Sequence, residues 1–145
     1  MIYPDLQFAS SILVKGDHSE RASQLLRDVP HPLGLSVLHR LQLENALLRL
    51  SHGSDPVQAE IAGGGLRIWR QYLDEGVFSI QPLDLDSAFA KAASWNAGYR
   101  VQPPRWGLLL HPAIAAVERA TFMSFDPTLR RQASTEGLEL IPETL

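Results

Sequence analysis

The stretch Thr121-Phe122-Met123-Ser124-Phe125-Asp126-Pro127, near the carboxyl end of the chain, decides the fold class. Thr121 to Phe125 has the compact apolar character of a buried strand. Asp126 before Pro127 is typical of a helix start, because aspartate accepts hydrogen bonds from free backbone N–H groups and proline suits the first helical turn. A buried strand followed directly by a helix indicates an α/β domain.

The same alternation of strands and helices extends over the rest of the chain. Further short strands are predicted at Ile2 to Tyr3, Leu33 to Ser36, Val77 to Ile80 and Leu138 to Ile141. Further helices are predicted at Phe8 to Val14, Ser19 to Asp28, Val37 to Leu50, Pro56 to Asp74, Asp86 to Ala97 and Leu108 to Val117, with a loop from Val101 to Gly107. This order predicts an α/β fold with a mainly parallel sheet and helices on both faces.

Local signals give more specific expectations about the helices. Asp17 and Glu20 have the spacing of a capping box, and Asp86 is a candidate cap for its helix. We expect Pro112 to fall in the first turn of its helix, because proline lacks a backbone donor. The glycines at 63–65 interrupt a helical pattern and predict a kink or close packing there.

Composition is that of one ordinary globular domain spanning residues 1–145, with 45% apolar and 20% charged residues. The absence of cysteine excludes disulfides, thiolate zinc sites and cysteine nucleophiles. The formal net charge of -3 argues against tight, sequence-independent binding of nucleic acid, although not against a nuclease. No signal-like or membrane-spanning segment is visible, so we expect a cytoplasmic protein.

Three carboxylates are candidate metal ligands. Asp5 and Asp126 each follow a predicted strand, and the carboxyl ends of parallel strands share one edge of a sheet. Glu44 lies on a helix that could cover that edge. Such a group would suit Mg²⁺ or Mn²⁺, which prefer oxygen ligands. The alternatives are a simple helix cap at Asp126, backbone hydrogen bonds at Asp5 and a solvated charge at Glu44.

Four segments raise the case for a metal site, because they resemble the PIN-domain family and particularly its VapC-like branch. They are Met1 to Phe8, Leu43 to Leu47, Leu110-His111 with the alanine-rich helix after it, and Thr121 to Asp126. The segments stand in the family's order over almost the whole chain. The resemblance implies a PIN-like three-layer sandwich and a Mg²⁺-dependent ribonuclease that is the toxin of a toxin–antitoxin pair.

The same resemblance assigns individual residues and shows one departure. Asp5, Glu44 and Asp126 match the first, second and last family acids, and Arg105 matches a basic residue that is often found upstream of the remaining one. At that remaining position the chain has Leu108, which supplies no lone pair. Losses even in the outer shell of a metal site weaken affinity about 10 to 100-fold. We therefore expect weak metal binding and slow or absent cleavage.

Basic residues and an apolar region suggest partners. Arg130 and Arg131 follow Asp126 closely and, with Arg105, are candidate contacts for RNA phosphates; a solvated helix face is the alternative. The resemblance implies an antitoxin protein and a homodimer. The apolar and aromatic content of Ile61 to Phe78 is typical of an interface.

Other side chains are open to two interpretations. Trp69, Trp95 and Trp106 could stack on RNA bases, but large aromatics are more often core or interface residues. His111 fits a packed histidine better than a catalytic base. Two hypotheses follow for the chain as a whole: a weakened metal-dependent endoribonuclease, or a catalytically inactive PIN-like module that binds RNA or protein.

Overall fold

A computed structural model of the chain describes residues 1–100, 102 and 105–144. Within these residues the strands are β1 (Ile2–Pro4), β2 (Leu33–Leu35), β3 (Phe78–Ile80), β4 (Thr121–Met123) and β5 (Leu140–Ile141). The helices are α1 (Leu6–Leu13), α2 (Ser19–Asp28), α3 (Val37–Ser51), α4 (Pro56–Asp74), α5 (Leu85–Gly98), α6 (Trp106–Val117) and α7 (Pro127–Thr135). The predicted alternation of strands and helices is confirmed.

The chain divides into two compact units. The first unit comprises Met1–Asp5 and Pro82–Leu145, and the second comprises Leu6–Gln81. The first unit contains a three-stranded sheet in the order β1-β4-β5, and the second contains the pair β2-β3. Every strand pair among the described residues is parallel, as predicted. The single domain expected over residues 1–145 stays a prediction.

The first unit is built around β4. Tyr3 and Phe122 face each other in the register between β1 and β4, and both are fully buried. Helix α6 precedes β4 and is joined to it by a short turn at Glu118 to Ala120. The buried His111 of α6 lies 3.2 Å from the hydroxyl oxygen of Tyr3 in β1, so α6 packs back along the sheet, antiparallel to β4. The amino end of α6 therefore lies at the same edge of the sheet as the carboxyl ends of β1 and β4.

The second unit shows why a glycine occurs in the middle of α4. A Cβ atom at Gly65 would lie 3.0 Å from the backbone carbonyl oxygen of Leu13 and 3.3 Å from the side chain of Leu47. At Gly63 and Gly64 a Cβ would meet nothing closer than 3.7 Å. Helix α4 is continuous across all three glycines. The close packing expected for the glycine run is thus confined to Gly65.

The predicted cap of α2 is wrong, although the helix itself spans Ser19–Asp28 as predicted. The capping box at Asp17 and Glu20 does not form, and α2 begins after His18, whose side chain makes no cap. The hydroxyl of Ser19 instead accepts a hydrogen bond from the backbone N–H of Gly16 at 2.7 Å. This local turn places Asp17 one residue before the N-cap position, which His18 occupies, so Asp17 does not cap the helix.

Two further expectations about helices need correction. Asp84, not Asp86, caps α5, because its carboxylate accepts hydrogen bonds from the backbone and the hydroxyl of Ser87. These bonds lower the pKa of Asp84, with the hydroxyl as the larger cause. Pro112 lies in the interior of α6 and not in its first turn, because the helix already begins at Trp106. Pro112 is buried, so packing of this apolar helix offsets the lost backbone bond.

Two expectations remain, one about the loop before α6 and one about membrane-spanning segments. Part of the predicted loop, Val101 with Pro103 and Pro104, lies outside the described residues. Within the residues that are described, no helix is long and apolar enough to cross a bilayer.

Candidate carboxylate site at the sheet edge

Asp5 and Asp126 follow neighbouring parallel strands. Pro4 of β1 pairs with Met123 of β4, and the backbone N–H of Asp5 donates to the carbonyl of Met123 at 2.8 Å. Asp5 comes directly after β1, and Asp126 is the N-cap residue of α7, just beyond β4. Because the two strands run in the same direction, both aspartates stand at one edge of this sheet.

Ser124 connects the two aspartates. Its hydroxyl donates a short hydrogen bond to Oδ2 of Asp5 and accepts one from the backbone N–H of Asp126 at 3.0 Å. Ser124 is fully buried and Asp5 is only 1% exposed. The sequence reasoning missed Ser124, although a hydroxyl inside the apolar stretch that was predicted as a strand, Thr121 to Phe125, was a signal for it. We refer to Asp5, Ser124 and Asp126 as the edge cluster.

The carboxylate of Asp126 has one occupied oxygen and one open oxygen. Its Oδ1 accepts from the backbone N–H groups of Thr128 at 2.8 Å and Leu129 at 3.0 Å, which makes it the cap of α7. Its Oδ2 has no hydrogen-bond partner in the part of the chain that the structure describes. The cap interpretation is confirmed, and it leaves one oxygen available to a ligand.

Glu44 belongs to the second unit. Its Oε1 accepts hydrogen bonds from Nε of Arg40 at 3.2 Å and from Nε1 of Trp69 at 2.8 Å. The side chain lines a cleft of about 350 Å³ between α3 and α4, together with Arg70 and Asp74. The expected convergence of Glu44 with Asp5 and Asp126 stays a prediction.

Arg130 is turned towards the interior of the first unit. It is 7% exposed, and its guanidinium donates to the carbonyl oxygen of Ser124 at 3.0 Å. The same group donates to the carbonyl oxygens of Pro142 at 2.7 Å and Glu143 at 3.3 Å. Arg130 thus ties the end of β4 to the segment after β5. Its neighbour Arg131 is exposed.

The amino end of α6 brings three further predicted residues to the same sheet edge. Arg105 is the exposed N-cap residue, and Leu108 lies half-buried in the first turn. One turn further, Nδ1 of the buried His111 lies 3.2 Å from the hydroxyl oxygen of Tyr3. The packed interpretation of His111 agrees with this burial. Leu108 precedes His111 by three residues and therefore shares the helix face that contacts β1.

The edge cluster can be compared with the needs of a hard cation. Mg²⁺ in proteins commonly takes one or two carboxylates, together with water and substrate phosphates. Asp5 and Asp126 supply two carboxylates at this edge, and Leu108 supplies no oxygen. No group of three or more histidine, cysteine or acidic side chains that could hold a metal ion occurs among residues 1–100, 102 and 105–144. This donor set fits a weakly held cation.

Comparison with known proteins identifies the fold. No family model and no curated protein matches the chain. A chain of the FitAcB crystal structure from Neisseria gonorrhoeae is similar with a TM-score of 0.66 and 15% identity, over 99% of this chain and 98% of that one. A chain of the structure of FitAB bound to an IR36 DNA fragment has a TM-score of 0.69 and 13% identity, over 100% and 97%. The chain therefore has the PIN-like α/β fold of these proteins, as its sequence predicted.

Proposed function

We propose that this protein is a VapC-like, metal-dependent endoribonuclease, the toxin of a toxin–antitoxin pair, with activity weakened by Leu108. The observation that carries the proposal is the edge cluster. Asp5 and Asp126 follow paired parallel strands, and Ser124 contacts both of them. Acidic residues at this place in a parallel sheet stand where ligands bind in α/β folds.

Each residue has a distinct role in this proposal. A bound Mg²⁺ or Mn²⁺ would activate water and offset phosphate charge. Asp126 offers its open Oδ2 to the cation, while its Oδ1 keeps the start of α7 in place. Asp5 is the buried anchor, oriented by Ser124. Glu44 is the third proposed acid, and the exposed Arg105 and Arg131 are proposed to contact RNA phosphates.

The second candidate, a catalytically inactive module that binds RNA or protein, is favoured by a specific observation. Asp5, Asp126 and Glu44 each accept hydrogen bonds from protein groups, so each has a role in the fold without a metal. Leu108 also removes one ligand from the pattern of the family. RNA binding without cleavage would then be the surviving function.

Partners and location are further parts of the proposal. The FitAB structure to which this chain is similar is bound to a DNA fragment. We propose that this chain pairs with an antitoxin protein, forms a homodimer and acts in the cytoplasm. The apolar region from Ile61 to Phe78 is the proposed interface. Trp69 and Phe78 in this region are buried within the second unit, so its exposed residues, such as Ile61, would carry the contact.

Cleavage of RNA in the presence of Mn²⁺ or Mg²⁺ tests the activity. Asp126→Asn is the informative variant, because asparagine caps helices as well as aspartate and so preserves the start of α7. We expect slow, metal-stimulated cleavage by the wild type and at least a tenfold lower rate in Asp126→Asn. Leu108→Asp is expected to raise the affinity for Mn²⁺ by about 10 to 100-fold and to accelerate cleavage.

The controls separate the two candidate functions. Circular dichroism should show the same helix content in all three proteins. Equal cleavage by the wild type and Asp126→Asn would contradict the proposed site. If neither the wild type nor Leu108→Asp cleaves RNA while both bind it, the inactive module is the correct function.

A further inference from the structure

A groove in the first unit lies between α5 and α7. Its volume is about 480 Å³, which is within the range of roughly 300–1,000 Å³ typical of small-molecule sites. Its lining residues come from one face of α7 and from the last turns of α5 and the residues after them. Trp95, Tyr99 and Arg100 line the α5 side, and Thr128, Arg131 and Gln132 line the α7 side. We refer to this feature as the α5–α7 groove.

The lining combines aromatic rings with cations. Trp95 and Tyr99 are half-buried and present ring surface on the α5 side. Arg100 and Arg131 are exposed, and neither has an ion-pair partner among the described residues. No acidic residue belongs to the lining. The groove is therefore suited to a ligand that carries both a flat ring and a negative charge.

Hydrogen bonds hold the two walls of the groove in place. Nε1 of Trp95 donates to Oε1 of Glu136 at 3.0 Å, and the hydroxyl of Tyr99 donates to Oε1 of Gln132 at 3.3 Å. Lys91 donates to Oε2 of Glu136 at 2.7 Å. The pKa of Glu136 is lowered, chiefly by this bond from Lys91, with a smaller effect of Trp95. Lys91 thus offsets the charge of Glu136, and the charged residues of the lining itself are Arg100 and Arg131.

We infer that the α5–α7 groove binds a nucleotide unit of a single-stranded nucleic acid. The base stacks on the ring of Trp95, and the flanking phosphates contact Arg100 and Arg131. Sequence-tolerant binding of single strands commonly combines these two interactions. A free phosphate would use only the cations and would leave the aromatic wall without a role.

The groove also has a defined relation to the edge cluster. Asp126 caps α7, and Thr128, two residues later, is the first α7 residue of the lining. A strand in the groove would therefore extend along α7 towards the open oxygen of Asp126. The role of the groove in holding a substrate strand rests on the proposed nuclease function, whereas its binding of nucleic acid does not.

Binding of a fluorescein-labelled oligouridylate, measured by fluorescence anisotropy in EDTA, tests the inference independently of cleavage. We expect Arg131→Gln to raise the dissociation constant about fivefold or more and to reduce the salt dependence by about one phosphate contact. Arg119→Gln is the matched control. Arg119 is also an exposed arginine of the first unit, but it follows the carboxyl end of α6. This variant should change the dissociation constant less than twofold.

A second pair of variants tests the aromatic wall. Trp95→Phe and Trp95→Leu both lose the hydrogen bond to Glu136, but only Trp95→Phe keeps a ring. We expect Trp95→Leu to bind about tenfold more weakly than Trp95→Phe. A parallel series with oligothymidylate shows whether the groove binds RNA or DNA more tightly. Binding of either one that depends on Arg131 supports the inference. Equal losses in Arg131→Gln and Arg119→Gln, or equal binding by the two Trp95 variants, would overturn the inference.

Discussion

Replacement of Arg130 with alanine is expected to lower the free energy of unfolding by about 3 kcal/mol or more. The guanidinium of Arg130 donates to the carbonyl oxygens of Ser124, Pro142 and Glu143. Each hydrogen bond from a charged group contributes roughly 1.5–3 kcal/mol, and these contributions are not additive. The variant loses all three bonds and the packing of the side-chain stem, so the segment after β5 should also detach more readily.

Arg131→Ala is the matched control for this prediction. Arg131 is the next residue on α7 and is exposed, so its replacement should change the free energy of unfolding by no more than about 0.5 kcal/mol. Urea denaturation followed by circular dichroism measures both variants. Equal stability of Arg130→Ala and Arg131→Ala would contradict a stabilising role for the three hydrogen bonds of Arg130.

Ser124→Ala is expected to cost about 2 kcal/mol of stability. The change removes the hydroxyl that donates to the buried carboxylate of Asp5 and that accepts from the backbone N–H of Asp126. Both groups lose a partner at the edge of the sheet, and a buried carboxylate is costly when it loses a donor. If the edge cluster binds a cation, the affinity for Mn²⁺ should fall as well, since Asp5 is no longer oriented by Ser124.

Ser134→Ala provides the comparison for Ser124→Ala. Ser134 lies on α7 and is exposed, so this change should leave stability within about 0.5 kcal/mol of the wild type. Urea denaturation again measures the difference. An effect of Ser124→Ala as small as that of Ser134→Ala would mean that the hydrogen bonds of Ser124 contribute little to the edge.

Features that depend on neighbouring residues could be predicted from the sequence. The cap at Asp126 uses N–H groups two and three residues further along the chain, and Pro127 fixes the first turn. The apolar stretch before it defines β4, and the alternation of elements predicts parallel pairing. Local spacing is sufficient for such features, because the interacting groups are adjacent in the sequence.

Features that depend on distant or competing partners could not be predicted in the same way. Arg130 bonds to Pro142 and Glu143, whose positions follow only from the turn of the chain into and out of β5. The sequence analysis offered an RNA contact or a solvated helix face for Arg130, whereas in the structure Arg130 shares the buried face of α7 with Leu129 and Ala133.

The wrong cap of α5 reflects competition between equivalent groups. Asp84 and Asp86 are both plausible caps for α5, and the choice depends on where the chain turns to meet Ser87. The assignment of Glu44 as a metal ligand, made from its place on a helix near the sheet edge and from the resemblance, stays a prediction. Its hydrogen bonds to Arg40 and Trp69 depend on how α3 packs against α4. A pattern of residue types does not distinguish a metal ligand from a partner in a surface ion pair.

The most direct test of the edge cluster is paramagnetic broadening of backbone amide signals on addition of Mn²⁺, measured by nuclear magnetic resonance. We predict that the signals of Asp5, Ser124 and Asp126 broaden first, and that Asp126→Asn needs a much higher Mn²⁺ concentration for the same effect. Broadening that begins elsewhere, or that is identical in Asp126→Asn, would contradict a metal site at this edge of the sheet.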